Sequence, residues 1–259
     1  MHFLILITLL IIVTIVSICI YHLYKKNAHK NFTSTTTNIP QNNIIILWDI
    51  HGVLFEKSII RWLRLIVTYP HIFTMIKRLD KKTIHILAKH IGKKIGIVKE
   101  EITNQELINC AKYNNNQALI DLTIRISCAY KPKNATIALV KKLHALGYAQ
   151  HIGSNIGQAI FELFAPQHPT IFNYFSYAHI INTQDSSTKM KKPNKEFFLS
   201  YLAIHKKKPG QIVFIDDRWA NIKTARLCGI QAIYFKDSAQ LKKEFERLGL
   251  LFEKKNNLI

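Results

Sequence analysis

Apolar residues are arranged in three different ways along this chain. Phe3 to Tyr21 is an almost unbroken apolar run, interrupted only by the hydroxyls of Thr8, Thr14 and Ser17. The run of about 19 residues matches the ~20 that a helix needs to cross a bilayer. A cleaved leader would want a basic residue ahead of the run and small residues at a cleavage site; only His2 precedes it, and Ser17-Ile18-Cys19-Ile20 is a poor match. The pattern predicts an uncleaved transmembrane anchor over residues 1–24. Lys25, Lys26 and Lys30 follow the run and no Lys or Arg precedes it. The positive-inside rule then places a membrane-anchored domain on the cytoplasmic side. Residues 25–43 are polar, rich in Thr and Asn, and read as a tether.

The second arrangement is helical. From about Glu56 to Tyr130 no strand-like run occurs, and apolar residues recur at helical spacing, as in Ile59, Trp62, Leu63 and Ile66. This segment is expected to be a helical insertion.

The third arrangement alternates and fills the rest of a core domain over 44–259. Ile44 to Trp48 is a short all-apolar run, as in a parallel strand buried on both faces. After the insertion, Asn134 is expected to cap a helix with Leu139, Val140, Leu143 and Leu146 inward, closed by Gly147. Strands are expected at Tyr148–Gly153, Tyr177–Ile181, Ile212–Ile215 and Gln231–Phe235. Helices are expected at Gln158–Phe164 and Asn194–His205, through Ile222 and Ala225 to Gly229, and from Ser238 to Leu248. Strand alternating with helix predicts an α/β fold with a parallel sheet covered on both faces, whose ligands sit beyond the carboxyl ends of the strands.

Composition changes this picture only a little. The formal charge of +20 favours anionic ligands, but the lysines are spread along the chain. No basic stripe interleaves with aromatics, so nucleic acid is not an expected partner. Cys19, Cys110, Cys128 and Cys228 stand far apart with no metal-ligand spacing, and read as unpaired thiols of a reducing compartment.

Three of the expected strands end in polar residues where a site belongs. The first ends in Asp49, within Trp48-Asp49-Ile50-His51-Gly52-Val53-Leu54. The second ends in Ser154-Asn155, and the one near 213 in Asp216-Asp217. A lone Asp after an apolar run is usually a cap or turn residue; three such ends in one polarity are not.

These segments resemble the haloacid dehalogenase-like superfamily. The Asp49 segment is similar to its first motif, D-x-D-G-[TV]-L. The strand ending in Ser154 is similar to the second. Lys192-Pro193-Asn194-Lys195-Glu196-Phe197-Phe198 resembles the third, K-P-[DN]-x-x-[IF]-[FY]. Asp216-Asp217-Arg218 with Asn221, Ala225 and Gly229 resembles the fourth. The resemblance implies a Rossmann-like core with a helical cap and a Mg2+-dependent hydrolase of small phosphorylated substrates. It implies Asp49 as nucleophile, and Mg2+ held by Asp49, the main-chain carbonyl of His51 and Asp217. Asp216, Asn221 and Gly52 would support the metal loop. Ser154, Asn155 and Lys192 would meet the phosphoryl group.

One position departs from the pattern. Phosphatases of the family carry an acid/base Asp two residues after the nucleophile, where this chain has His51. A main-chain carbonyl survives any substitution, and imidazole with an ordinary pKa of about 6.5 can move protons near neutrality. Three outcomes stay open: His51 is the acid/base, turnover is slow, or the site of a scaffold protein binds without turnover. A metal-free dehalogenase also lacks the second Asp, but Asp216-Asp217 beside Asp49 without a cation would repel.

Overall fold

The computed structural model describes residues 44–94, 104–181 and 190–251. Its strands are β1 (Ile45–Trp48), β2 (Phe55–Lys57), β3 (Tyr130–Pro132), β4 (Ala149–Gly157), β5 (Tyr177–Ile181), β6 (Ile212–Asp216) and β7 (Gln231–Tyr234). Its helices are α1 (Ile59–Val67), α2 (Ile72–Lys77), α3 (Lys81–Lys94), α4 (Asn104–Tyr113), α5 (Gln117–Cys128), α6 (Asn134–Ala145), α7 (Gln158–Phe164), α8 (Pro169–Phe172), α9 (Lys195–His205), α10 (Trp219–Leu227) and α11 (Ser238–Arg247).

Five strands form a parallel sheet in the order β5-β4-β1-β6-β7. β1 is central, with Leu47 opposite both His151 and Phe214. Its residues alternate between two covered faces. Ile45 and Leu47 join Phe197, Phe198 and Tyr201 of α9 and Ile222 and Ala225 of α10 in one cluster. Trp48 packs edge-on against Phe245 of α11 on the other face. Its indole N–H donates to Gln150 at 3.1 Å, and Gln150 donates to the Val140 carbonyl of α6 at 3.0 Å, so this buried polar group is satisfied.

The described residues divide into two compact units. Residues 69–94 and 104–123 form one, and 44–68, 124–181 and 190–251 form the other. The smaller unit is helical and tied by side chain–main chain bonds, including Asn116 to the Met75 carbonyl at 3.0 Å and the Tyr69 hydroxyl to the Ala118 carbonyl at 2.8 Å.

Several expectations change. The ends of the expected helical insertion are two short strands, β2 and β3, paired antiparallel with Lys57 opposite Tyr130. β4 continues to Gly157, with a shift of register against β5 after Gly153. Asn134 is the first helical residue of α6, and Lys133 occupies the cap position without a side-chain cap bond. The membrane anchor is corrected too: no helix among the described residues is long and apolar enough to cross a membrane. The longest of them, α3, has 14 residues and five lysines, about 21 Å against the ~30 Å of a hydrocarbon core. Residues 1–24, assigned to the anchor, and 25–43, assigned to the tether, lie outside the described residues. The membrane location and the cytoplasmic orientation that rested on them are withdrawn. Three described cysteines, Cys110, Cys128 and Cys228, are free thiols.

Candidate active site

The sheet order reverses at β1, where a parallel sheet opens a crevice at its carboxyl edge. Asp49 stands there. Its main-chain N–H donates to the Ile215 carbonyl at 3.0 Å, which extends the pairing with β6 by one residue. The chain then turns: Leu54 and Phe55 both donate to the Ile50 carbonyl at 2.9 Å, and Gly52 donates to the Phe55 carbonyl at 2.7 Å. Gly52 has φ +94°, and a β-carbon there would overlap the Asp217 carboxylate. A glycine is therefore required on two counts, backbone conformation and close approach.

Lys192 is the hub. It is 1% exposed, and its ammonium reaches three acceptors: Asp216 at 2.6 Å, the Gly153 carbonyl at 2.8 Å and Asp49 Oδ1 at 3.1 Å. That accounts for all three of its protons. Its main chain is held as firmly. Asn155 donates to the Lys192 carbonyl at 2.7 Å and accepts from the Lys192 N–H at 2.8 Å. Asp216, fully buried, also accepts two bonds of 2.9 Å from the Asn221 amide and one of 2.8 Å from the Arg218 N–H.

Burial opposes charge on Lys192, Asp216 and Asp217, and neighbours decide the outcome. Burial alone would lower Lys192, but Asp216 and Asp49 hold it above the ordinary lysine range. Asp217 is pushed up to about 7, by burial first and then by the charges of Asp216 and Asp49. Asp216 is also raised, chiefly by burial, with Lys192 opposing.

The structure thus brings together Asp49, Gly52, Asn155, Lys192, Asp216, Asp217 and Asn221. Ser154 is buried on β4, and its hydroxyl accepts a long 3.4 Å bond from the Ile156 N–H. The Asn155 side chain, expected among the phosphate contacts, is engaged at both ends by Lys192. The His51 ring lies 4.1 Å from the Tyr130 ring and 6.1 Å from Phe164, centroid to centroid. Three residues near the carboxylates have no role assigned by the sequence, Arg218 being named there only as part of the fourth motif. The charges of Arg218, Asp217 and Asp49 act on the Tyr130 hydroxyl, and those of Arg218 and Asp217 act on the Lys57 ammonium. Arg218 could have been read from its place after Asp216-Asp217. Lys57 and Tyr130 could not, because a three-residue ribbon leaves no periodic signal.

Among solved structures, a predicted HAD-like family hydrolase from Porphyromonas gingivalis is similar at TM-score 0.52 and 19% identity, covering 79% of this chain and 98% of that one. A HAD family enzyme from Bacteroides thetaiotaomicron, in complex with magnesium and inorganic phosphate, is similar at TM-score 0.50 and 20% identity over 76% of this chain and 98% of that one. An L-2-haloacid dehalogenase from Xanthobacter autotrophicus with covalently bound chloropropionic acid gives TM-score 0.50 at 11% identity, covering 78% and 82%. At these identities the likeness is one of fold. No curated protein matches. A family model of haloacid dehalogenase-like hydrolases matches residues 45–229, from β1 through α10. With all four strand-end and loop motifs inside that match, the chain belongs to the haloacid dehalogenase-like hydrolases.

Proposed function

We propose that this hydrolase cleaves small phosphoric esters with Mg2+, through an aspartyl-phosphate on Asp49. The observation that carries the reading is the carboxylate set: Asp49, Asp216 and Asp217 each offer an oxygen, and these lie within 4.8 Å of one another. An all-oxygen donor set suits a hard divalent cation. One lysine stands among the three acids, and the Asp217 carboxyl is raised by burial first and then by the charges of Asp216 and Asp49. The residues therefore fit a cation, held by Asp49, Asp217 and the His51 main-chain carbonyl. When bound, it would supply charge neutralisation at the phosphoryl oxygens.

The remaining roles belong to this chain's own groups. The free Asp49 oxygen attacks phosphorus as the ester P–O bond breaks. Lys192 offsets charge on Asp49 and on the phosphoryl group. The Ser154 hydroxyl donates to a phosphoryl oxygen. Asn155 serves by fixing the Lys192 main chain, and Asn221 by orienting Asp216. His51 gives a proton to the departing oxygen and takes one from the water that later frees Asp49. The helical insertion between β2 and β3 stands at the place in the chain where the family resemblance implies a cap. The metal-free dehalogenase reading is disfavoured by mutual repulsion of the three acids.

The test is phosphate release from small phosphomonoesters by the full chain with Mg2+. Asp49→Asn is expected to cut the rate by on the order of 10^3-fold or more. Halide release without metal, or no phosphate release from the unsubstituted chain, would overturn the reading. Activity appearing only in His51→Asp would mark a site that binds without turnover.

A further inference from the structure

The loop that follows Asp49 is gripped from one side by a residue that no motif of the family includes. Lys133, directly after β3, donates from its ammonium to the Gly52 carbonyl at 2.6 Å. Its main-chain N–H donates to the Leu54 carbonyl at 2.8 Å. The same ammonium lies 4.7 Å from the centre of the Phe235 ring, just beyond β7, which adds a cation–π contact. The partner strand β2 supplies the other grip, because the Phe55 carbonyl accepts the Gly52 N–H at 2.7 Å.

The consequence is geometric. The His51–Gly52 peptide is trans; among the described residues the cis bond is Lys192–Pro193. Across a trans peptide the C=O and N–H point in opposite directions. Fixing the Gly52 N–H toward Phe55 therefore fixes the His51 carbonyl on the opposite side. Fixing the Gly52 carbonyl with Lys133 stops the next peptide from rotating at a glycine, the residue that resists rotation least. The Gly52 α-carbon is itself against Asp217. One grip comes from β2 and the other from the residue that follows β3, the two strands that flank the helical insertion at its entry and exit.

We infer that Lys133 is a positioning residue for the cation site: it holds the Asp49–Leu54 loop so that the His51 carbonyl faces the cation beside Asp49 and Asp217. The inference rests on the proposed function for the existence of that site. It differs from the role of Lys192, which touches the carboxylates directly. Lys133 acts through the backbone, by orienting a ligand whose side chain is irrelevant to the bond.

The test uses the full chain and Mn2+, a paramagnetic stand-in that takes the same oxygen ligands, with binding read by water-proton relaxation. Lys133→Met is expected to weaken Mn2+ binding by about 10- to 100-fold, as loss of a ligand-orienting partner does elsewhere. The same variant should lower kcat for phosphate release with KM for the ester within about twofold, since Lys133 is not placed at the ester. Lys133→Arg, which keeps a cationic donor, should recover most of the affinity. If Lys133→Met does not fold, Lys133→Gln against Lys133→Arg at equal melting temperature gives the same contrast. Unsubstituted chain that binds Mn2+ and turns over, with variants that bind it equally well, would overturn the role of Lys133 and leave the proposed function standing. An unsubstituted chain that binds no Mn2+ would overturn both.

Discussion

Two sets of buried and half-buried titratable groups flank β4 and are accommodated by opposite means. At its carboxyl end, Lys192 pairs directly with Asp216 at 2.6 Å and with Asp49 at 3.1 Å, beside the half-buried Asp217. Between β4, β5 and α9, His151, Tyr177, His179, Tyr201 and His205 form a ring cluster in which the imidazoles are held neutral. His151 shares a 2.7 Å hydrogen bond with the Tyr201 hydroxyl. His179 donates to the Phe197 carbonyl at 3.0 Å. His205 packs 4.4 Å from Tyr177, 4.6 Å from Tyr201 and 4.6 Å from His151, ring centre to ring centre. Burial lowers both His151 and His179 to about 4, with His205 adding repulsion and Lys192 opposing charge on His179. Burial alone does not set ionisation. Where a partner of opposite sign stands close, as at Lys192, it outweighs burial; where none does, as at His151 and His179, burial keeps the ring neutral even though the Phe197 carbonyl favours the charged form of His179.

The largest expected break in this contrast is Lys192→Met. It leaves Asp216 and Asp49 buried without their cation, a type of loss that costs about 3–5 kcal/mol. Urea unfolding would read that loss, and phosphate release should vanish with it. A stability change below about 1 kcal/mol would mean that the acids find compensation elsewhere.

The histidine cluster should respond to acid. A folded pKa of about 4 against an ordinary 6.5 means that the neutral form is favoured in the fold. That stability is fully present above pH 6.5 and is lost as pH falls toward 4, by roughly 2–3 kcal/mol per imidazole. Unfolding curves between pH 7 and 4 should show it, and His151→Gln with His179→Gln should flatten the slope. An unchanged slope in the double variant would place acid sensitivity outside this cluster.

The smallest effect concerns Asp217. With its carboxyl near 7, the metal-free protein holds a proton there below neutrality that a cation must displace. Cation affinity should therefore rise with pH up to about 7, by at most tenfold per unit, and level off above it. Isothermal titration with Mg2+ at pH 5.5, 6.5 and 7.5 would read this. A flat affinity would show that Asp217 is already ionised.

Much of this was legible in the sequence because strand ends are marked by a change from apolar to polar. β1, β6 and the loops after them follow from Ile44–Trp48 and Ile212–Ile215 running into acids. α9 and α11 follow from Phe197, Phe198 and Tyr201 and from Leu241 and Phe245 at helical spacing. What was hidden had no such contrast. The β2–β3 ribbon is three residues wide on each side, so Tyr130 and Lys133 gave no pattern, although they flank the loop after Asp49. Asn155 was recognisable as a site residue, yet its engagement with the Lys192 main chain depends on a contact 37 positions away. The apolar run at Phe3–Tyr21 was read from hydropathy alone, and no described helix supports a membrane role.

The central place of β1 has a consequence for synthesis. Asp49 leaves the ribosome before both partners of its strand, which pairs with Ala149–Ile152 on one side and Ile212–Ile215 on the other. Until those strands are made, Asp49 has neither its lysine nor its two fellow acids. Pairings this distant in sequence form late. A nascent or truncated chain that stops before Asp217 carries Asp49 without the groups that surround it in the fold, so the site is assembled only when the later strands have been made.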